Sequence, residues 1–223
     1  MLFRSGAATA LLAGHLREGG QVRAVDLSEG MIAQARRLPA CAPPKVEFIV
    51  GDALEHLKCA AGLNLVFSSW VLGYIAPKPF FAAAEAALAN GGRLAFLAHK
   101  EGSPREPLEI FADLVAARPE ALRSQVAFAF MRDVAQVENQ LGAVGLAPES
   151  IWEGEIEFSY GGAEAVLEHL LKSGAGTAFY EAVDPSCRPQ MERGFLDGLR
   201  ARHSGRGPYR VRHEYIAAIA VKP

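Results

Sequence analysis

Two acids in the first quarter of the chain have the types and positions needed to bind a nucleotide. Asp26 follows a short apolar run, and it comes 20 residues after Gly6. A carboxylate at about this spacing can accept two hydrogen bonds from a ribose diol. Asp52 ends the next apolar run, where it could accept from an adenine amino group while the following backbone N–H donates to the ring. The alternatives are that Asp26 begins a turn and that Asp52 is a plain helix N-cap.

Two further side chains are candidates for proton transfer. His99 ends a later apolar run, and Tyr74 follows the run before it. A histidine there has an ordinary pKa close to neutrality, which suits a general base. A strand-end histidine bonded to backbone explains His99 as well, and Tyr74 is equally consistent with an aromatic packed under a covering segment. The sequence therefore names no catalytic residue.

Arginine is concentrated near the C-terminus. With few acids between them, these arginines favour an anionic substrate, because a guanidinium grips carboxylate or phosphate in a bidentate manner. RNA is a weaker alternative, since aromatic residues are scarce there. A solvated helix face is the plain explanation. The residues are Arg188, Arg193, Arg200, Arg202, Arg206, Arg210 and Arg212.

Short strand-like runs alternate with helix-like runs over the first hundred residues. This order predicts βαβ units and an α/β fold with a doubly wound, mostly parallel sheet, at whose carboxyl edge ligands bind. Ser28 is the expected cap of one helix. The predicted strands are Val22 to Val25, Val46 to Val50, Leu63 to Phe67 and Arg93 to Ala98, and the predicted helices are Ala7 to Leu16, Ser28 to about Leu38 and Phe80 to Ala89.

The second half of the chain changes character. A helix is expected from Asp133 to Leu141, followed by two long strands, Glu153 to Tyr160 and Tyr209 to Val221. Residues 161–208 lie between those strands and are too many for a hairpin turn. We expect them to form a helical cap inserted within a single domain that spans residues 1–223.

Composition sets broad limits. The 223 residues carry 23 Lys and Arg against 25 Asp and Glu, a net charge of −2. This balance gives no electrostatic reason to expect nucleic acid as a partner. The apolar runs are too short to cross a membrane, and the N-terminus has no signal-peptide pattern, so a cytoplasmic protein is expected. The three widely spaced cysteines predict neither a disulfide framework nor a CxxC metal site.

Several segments together resemble the successive motifs of class I S-adenosylmethionine-dependent methyltransferases. The likeness covers roughly residues 6 to 100, and the two late strands extend the family's plan to the C-terminus. It implies a Rossmann-like α/β fold, S-adenosylmethionine as cofactor and an antiparallel strand pair at the end of the chain. The segments are Gly6 to Ala13, Val25 to Ala35, Gly51 to Ala53, Phe67 to Leu72 and Leu88 to Leu94.

The resemblance also implies roles for particular residues. Gly6 matches the last glycine of the cofactor loop. Asp26 matches the acid on the ribose hydroxyls, with Leu27 and Met31 near adenine, although Met31 also suits core packing. Asp52 matches the acid on the adenine amino group, with Ala53 beside it. Ser68 lies where the chain after the fourth strand passes the reactive end of the cofactor.

The chain departs from the family pattern at its start. The family's first strand and the first two glycines of its cofactor loop should precede Gly6, but only five residues do so. We therefore expect this chain to be an N-terminally truncated form of a longer one. Loss of a central strand would leave backbone hydrogen bonds unmade.

The resulting expectation is methyl transfer to a small-molecule acceptor, with an anionic acceptor as one option, and with no nucleic-acid or membrane partner and no metal. One alternative is an inactive methyltransferase-like fragment or scaffold. Another is an NAD-dependent oxidoreductase, since Asp26 would also serve a dinucleotide's ribose. Against that, the residues from Gly6 to Thr9 form no GxGxxG turn.

Overall fold

The computed structural model describes residues 6–38, 45–124, 128–173, 176–203, 205 and 207–223. Strands and helices alternate over the first hundred of these, as the sequence predicts. The strands are β1 (Val22–Asp26), β2 (Val46–Val50), β3 (Leu63–Ser69), β4 (Leu88–His99), β5 (Ala147–Tyr160) and β6 (Tyr209–Val221). The α-helices are α1 (Ala7–Gly14), α2 (Glu29–Ala35), α3 (Ala53–Lys58), α4 (Pro77–Ala87), α5 (Arg105–Ala117), α6 (Val134–Gly142), α7 (Ala163–Ser173), α8 (Thr177–Ala182) and α9 (Arg188–Arg202).

The strands form an α/β fold of mostly parallel strands with antiparallel strands at the end of the chain, which confirms the predicted fold class. β1 pairs with β2 and β3 with β4, both in parallel. Gly91 N donates to Lys222 O, and Lys100 N donates to Glu214 O. Because numbering rises along β4 while it falls along β6, these two strands are antiparallel.

The described strands form two sheets where one continuous sheet was expected. β1 and β2 form the first, and the second has the order β3-β4-β6-β5. No other described strand pairs with β1 or with β3. Leu65 and Phe67 of β3 are 42% and 41% exposed. The expected truncation of the chain stays a prediction.

Several boundaries differ from the sequence-based expectation. β4 begins at Leu88 and not at Arg93. Leu88 is buried and pairs with Leu63 of β3, and Gly91 donates to Lys222. Residues 88–92 are therefore part of a strand, although the sequence predicts a helix end there, because they pair with residues distant in sequence. α2 ends at Ala35, three residues before the predicted end at about Leu38.

The chain divides into two compact units. The first comprises the described residues of Met1–Ala98, Ala129–Trp152 and Ile216–Pro223, and the second those of His99–Phe128 and Glu153–Tyr215. The core of the first unit includes the fully buried Phe81, Leu94 and Ile216. In the second unit Ile110, Phe195 and Val211 belong to one buried cluster. α5 belongs to the same unit as the three helices between residues 161 and 208. The expectation of one domain with a cap at 161–208 stays a prediction.

Candidate functional site

The two acids identified from the sequence lie at the same edge of the β1–β2 sheet. Asp26 is opposite Val50 in the register. The backbone N–H of Gly51 donates to the carbonyl of Asp26 at 3.0 Å, so Asp52 follows directly after this contact. Because parallel strands end at the same edge, the first unit brings both carboxylates to the carboxyl end of its first sheet.

Each carboxylate uses one oxygen in local structure. Oδ1 of Asp26 accepts from the backbone N–H of Ser28 at 2.8 Å. Oδ1 of Asp52 accepts from the N–H groups of Leu54 and Glu55 at 2.7 and 3.1 Å and so caps α3. The turn and cap interpretations are therefore both confirmed. Neither Oδ2 has a partner among the described residues, which leaves one acceptor atom on each side chain for a ligand.

Gly6 is fixed by close packing between two helices. It precedes α1 with φ 80°, a left-handed conformation that favours glycine. A Cβ atom built on Gly6 would lie 2.5 Å from Cβ and 2.9 Å from Cα of Ala35 in α2. The glycine therefore lets the start of α1 approach α2.

The apolar residues predicted near the cofactor differ in exposure. Leu27 is 72% exposed directly after Asp26. Met31 is half-buried, and its N–H donates to Oγ of the helix cap Ser28 at 3.3 Å. Ala53 is half-buried at the first residue of α3. Leu27 thus offers an uncovered apolar surface beside the carboxylate of Asp26, whereas Met31 is partly used in packing.

The end of β3 carries a backbone feature that sequence reasoning missed. Ser68 is buried inside β3, opposite Phe96 of β4. Trp70, just beyond the strand, has φ 60°, and its N–H donates to the carbonyl of Leu97 at 2.7 Å. A bulky residue with positive φ is rare and is most often found where a site fixes the backbone. Its residue type gave no signal of this conformation.

The two candidate bases belong to different units. Tyr74, in the first unit, is half-buried and makes an edge-to-face contact with Phe130 at 5.8 Å between ring centroids. His99, in the second unit, is buried at the end of β4, with its ring centroid 5.4 Å from that of His213. Neither unit by itself brings the two candidates together.

A pair of histidines in the second unit was not foreseen. Nε2 of His169 lies 2.9 Å from Nε2 of His213. Burial lowers the pKa of His213 to about 4, with a smaller contribution from His169. Burial also lowers the pKa of His169. Both rings are therefore neutral at neutral pH, and their positions, 44 residues apart in sequence, gave no signal of the contact.

Most of the C-terminal arginines bind acids within the second unit. Their ion pairs support the plain explanation for this cluster, a charged surface, over a shared anion site. Arg206 lies outside the described residues. The pairs are Arg200 with Glu164 and Asp197, Arg202 with Glu109 and Asp113, Arg210 with Glu157, and Arg212 with Glu155 and Glu157.

The described part of the chain has neither a metal-ligand cluster nor a membrane-spanning helix. It contains no group of three or more His, Cys, Asp or Glu side chains arranged to hold a metal ion. None of its helices is both long and apolar enough to cross a membrane.

Sequence comparison identifies a domain in the region that carries the strand-end acids. Residues 4–92 match the family model described as "Methyltransferase domain". The matched segment includes Gly6, Asp26, Asp52, Ser68 and Tyr74. No curated protein sequence matches the chain.

Solved structures with the same fold span nearly the whole chain. The BH2331 protein of Bacillus halodurans C-125, which carries a provisional methyltransferase assignment, has a TM-score of 0.62 at 18% identity over 99% of this chain and 89% of its own. Geranyl diphosphate C-methyltransferase of Streptomyces coelicolor A3(2), solved with Mg²⁺, geranyl diphosphate and S-adenosyl-L-homocysteine, has a TM-score of 0.52 at 15% identity over 99% and 70%.

A third structure is phosphoethanolamine N-methyltransferase 2 of Haemonchus contortus, solved with phosphomonomethylethanolamine and S-adenosylhomocysteine. Its TM-score is 0.53 at 20% identity, and the match covers all of this chain but 48% of that one. At these identities the three likenesses concern the fold.

Proposed function

We propose that the chain is a class I S-adenosylmethionine-dependent methyltransferase and that it transfers the methyl group of S-adenosylmethionine to a small-molecule acceptor. The observation that carries this proposal is the pairing of Asp26 and Asp52 at one sheet edge, each with a free carboxylate oxygen. The cytoplasm is the proposed compartment, on the sequence grounds given above.

The residues at the strand ends fit the cofactor. Oδ2 of Asp26 would accept from the ribose hydroxyls, and the exposed side chain of Leu27 would cover one face of adenine. Oδ2 of Asp52 would accept from the adenine amino group, while Ala53 and Met31 complete the surroundings of the base. Gly6 contributes to this arrangement because its lack of a side chain lets α1 pack closely against α2.

The cofactor supplies a sulfonium whose methyl group is already electrophilic, so the protein mainly needs to align an acceptor. Correct placement alone removes several kcal/mol from such a barrier. Ser68 lies near the end of β3, and Trp70, just beyond that strand, has a fixed backbone with φ 60°. His99 and Tyr74 remain candidates for removing a proton from an acceptor that is protonated at the working pH.

The structures solved with small-molecule ligands support a small-molecule acceptor. Geranyl diphosphate and phosphomonomethylethanolamine, present in two of the structures compared, are both small molecules that carry phosphate. The net charge of −2 argues against nucleic acid as a substrate.

Calorimetric titration with S-adenosylmethionine, S-adenosylhomocysteine and NAD tests this function. We expect binding of the first two ligands and none of NAD. Binding of NAD alone would identify an oxidoreductase, and absence of all binding would favour the inactive scaffold.

The Asp26→Asn variant tests the site. An asparagine keeps Oδ1 for the N–H of Ser28 but removes the charge, so we expect affinity for S-adenosylmethionine to fall about 10-fold to 100-fold. Glu138→Gln is the matched control, because Glu138 is exposed on α6 of the same unit. Equal affinity of Asp26→Asn and the control would disprove the ribose role of Asp26.

A further inference from the structure

The second unit contains a largely apolar pocket between α5, α7, α8 and α9. Twelve of its fifteen lining residues are apolar. Part of its wall is aromatic: the ring of Phe179 lies 4.7 Å from that of Phe111. Pockets of this composition usually bind small molecules, with a few polar groups to set orientation.

Arg188 is the cationic group of this pocket. It is the first residue of α9, and its Nε atom is buried with no acceptor among the described residues. Its guanidinium carbon lies 4.6 Å from the centroid of the Tyr180 ring, so the ring face supports the cation. A buried donor without an acceptor is rare in native structures and calls for a partner from outside the protein.

The acid nearest in sequence does not meet this need. Glu192 lies one helical turn after Arg188, where an ion pair would be usual. The Tyr180 hydroxyl instead donates to Glu192, and this hydrogen bond raises the pKa of Tyr180. Asp184, a second nearby acid, accepts from the N–H and the hydroxyl of Ser186. The charge of Arg188 contributes to lowering the pKa of Asp184, but neither acid accepts a hydrogen bond from Nε of Arg188.

Arg188 differs in this respect from the arginines around it. Arg200 and Arg202, on the same helix, are bound by acids. Arg193 is exposed and can be satisfied by water. Arg188 combines a buried donor with an apolar surrounding, which is the arrangement that favours an anionic group attached to an apolar body.

We propose that this pocket binds an amphiphilic monocarboxylate, with its apolar part against the leucines and phenylalanines and its carboxylate on the Nε edge of Arg188. Two carboxylate oxygens match the parallel N–H groups of that edge. A single negative charge suits the pocket better than a doubly charged phosphate, because Glu192 already places one negative charge in the wall. The proposal depends only on the second unit and goes beyond methyl transfer.

Titration calorimetry with octanoate and with its neutral isostere octanamide tests the proposal on the unmodified protein. We expect octanoate to bind at least about 10-fold more tightly than octanamide, since only octanoate satisfies the charged donor. Equal binding of the two probes, or no saturable binding of octanoate, would overturn the proposal.

The Arg188→Gln variant should remove the preference for octanoate and leave octanamide binding unchanged. Arg193→Gln, on the exposed side of the same helix, is the matched control and should keep the preference. Leu108→Trp fills the pocket and should weaken both probes. Retention of the preference in Arg188→Gln would also overturn the proposal. Thermal unfolding checks that each variant folds, and S-adenosylmethionine titration of the same samples tests the methyltransferase site separately.

Discussion

The two units position their polar groups by different means. In the first unit, the candidate carboxylates bind backbone N–H groups two or three residues away, as Asp26 does with Ser28 and Asp52 with Leu54. In the second unit several partners are far apart in sequence: Arg202 reaches Glu109 across 93 residues, and His169 meets His213 across 44.

This difference explains which site can be recognised without a structure. A turn or cap has a short sequence signature, and strand ends fall at one edge of a parallel sheet, so the place of Asp26 and Asp52 follows from general rules. A pocket between four helices depends on how their faces meet, for which no rule of comparable precision exists. Three predictions test the contrast between local and long-range support.

The largest effect is expected at Gly6, in the first unit. Gly6→Ala forces an L residue to φ 80° and places its Cβ 2.5 Å from that of Ala35. The combined strain and overpacking should lower the free energy of unfolding by about 3 to 5 kcal/mol, as measured by urea denaturation.

Gly14→Ala, at the last residue of the same helix, is the control for Gly6→Ala. Nothing lies within 4 Å of a Cβ built there, so stability should hold or rise slightly. If the two variants lose the same stability, the contact between α1 and α2 is not what requires a glycine at position 6.

The next largest effect is a pH dependence of the free energy of unfolding, caused by a histidine of the second unit. The pKa of His213 is about 4 in the folded chain because of burial, against about 6.5 when unfolded. The unfolded state therefore binds a proton first, and stability is lost as pH falls from about 6.5 to about 4. The loss should reach about 3 kcal/mol, measured by denaturation at a series of pH values.

His213→Gln should remove most of this slope, because glutamine stays neutral throughout. His15→Gln, which changes an exposed histidine of the first unit, should keep it. If the free energy of unfolding of His213→Gln still falls with pH to the same extent, groups other than His213 cause the pH dependence.

The smallest effect is expected at Arg202, whose side chain is 33% exposed and pairs with Glu109 and Asp113. Exposed ion pairs contribute little, so Arg202→Gln should cost less than about 1 kcal/mol, and less still at high salt. Arg193→Gln provides the comparison without an ion pair. A loss above about 2 kcal/mol would mean that these long-range pairs hold the second unit together.

The fold could be predicted where the signal was local. β2 and β6 have the predicted bounds, Ser28 caps the helix as expected, and the helix predicted from Asp133 to Leu141 spans Val134–Gly142. The start of β5 at Ala147 was missed, because pairing with β6 decides it and its own residues do not. The division into two sheets likewise depends on which strands meet.

The candidate site could be predicted in part. The acids and Gly6 were identified from spacing and from resemblance, and their cofactor roles stay predictions. Arg188 was identified only as one of seven clustered arginines and Trp70 was not identified at all, since an unmet buried donor and a positive φ appear only when the chain is folded.

The position of Tyr180 has a consequence for selectivity in the second unit. Its ring lies under the Arg188 guanidinium while its hydroxyl binds Glu192. Tyr180 thereby binds the acid one helical turn after Arg188, and among the described residues no acceptor occupies Nε of Arg188 that an incoming anion would have to displace. The affinity of such a site for an anion depends on a hydrogen bond from Nε of Arg188 that no described acceptor of the protein takes up.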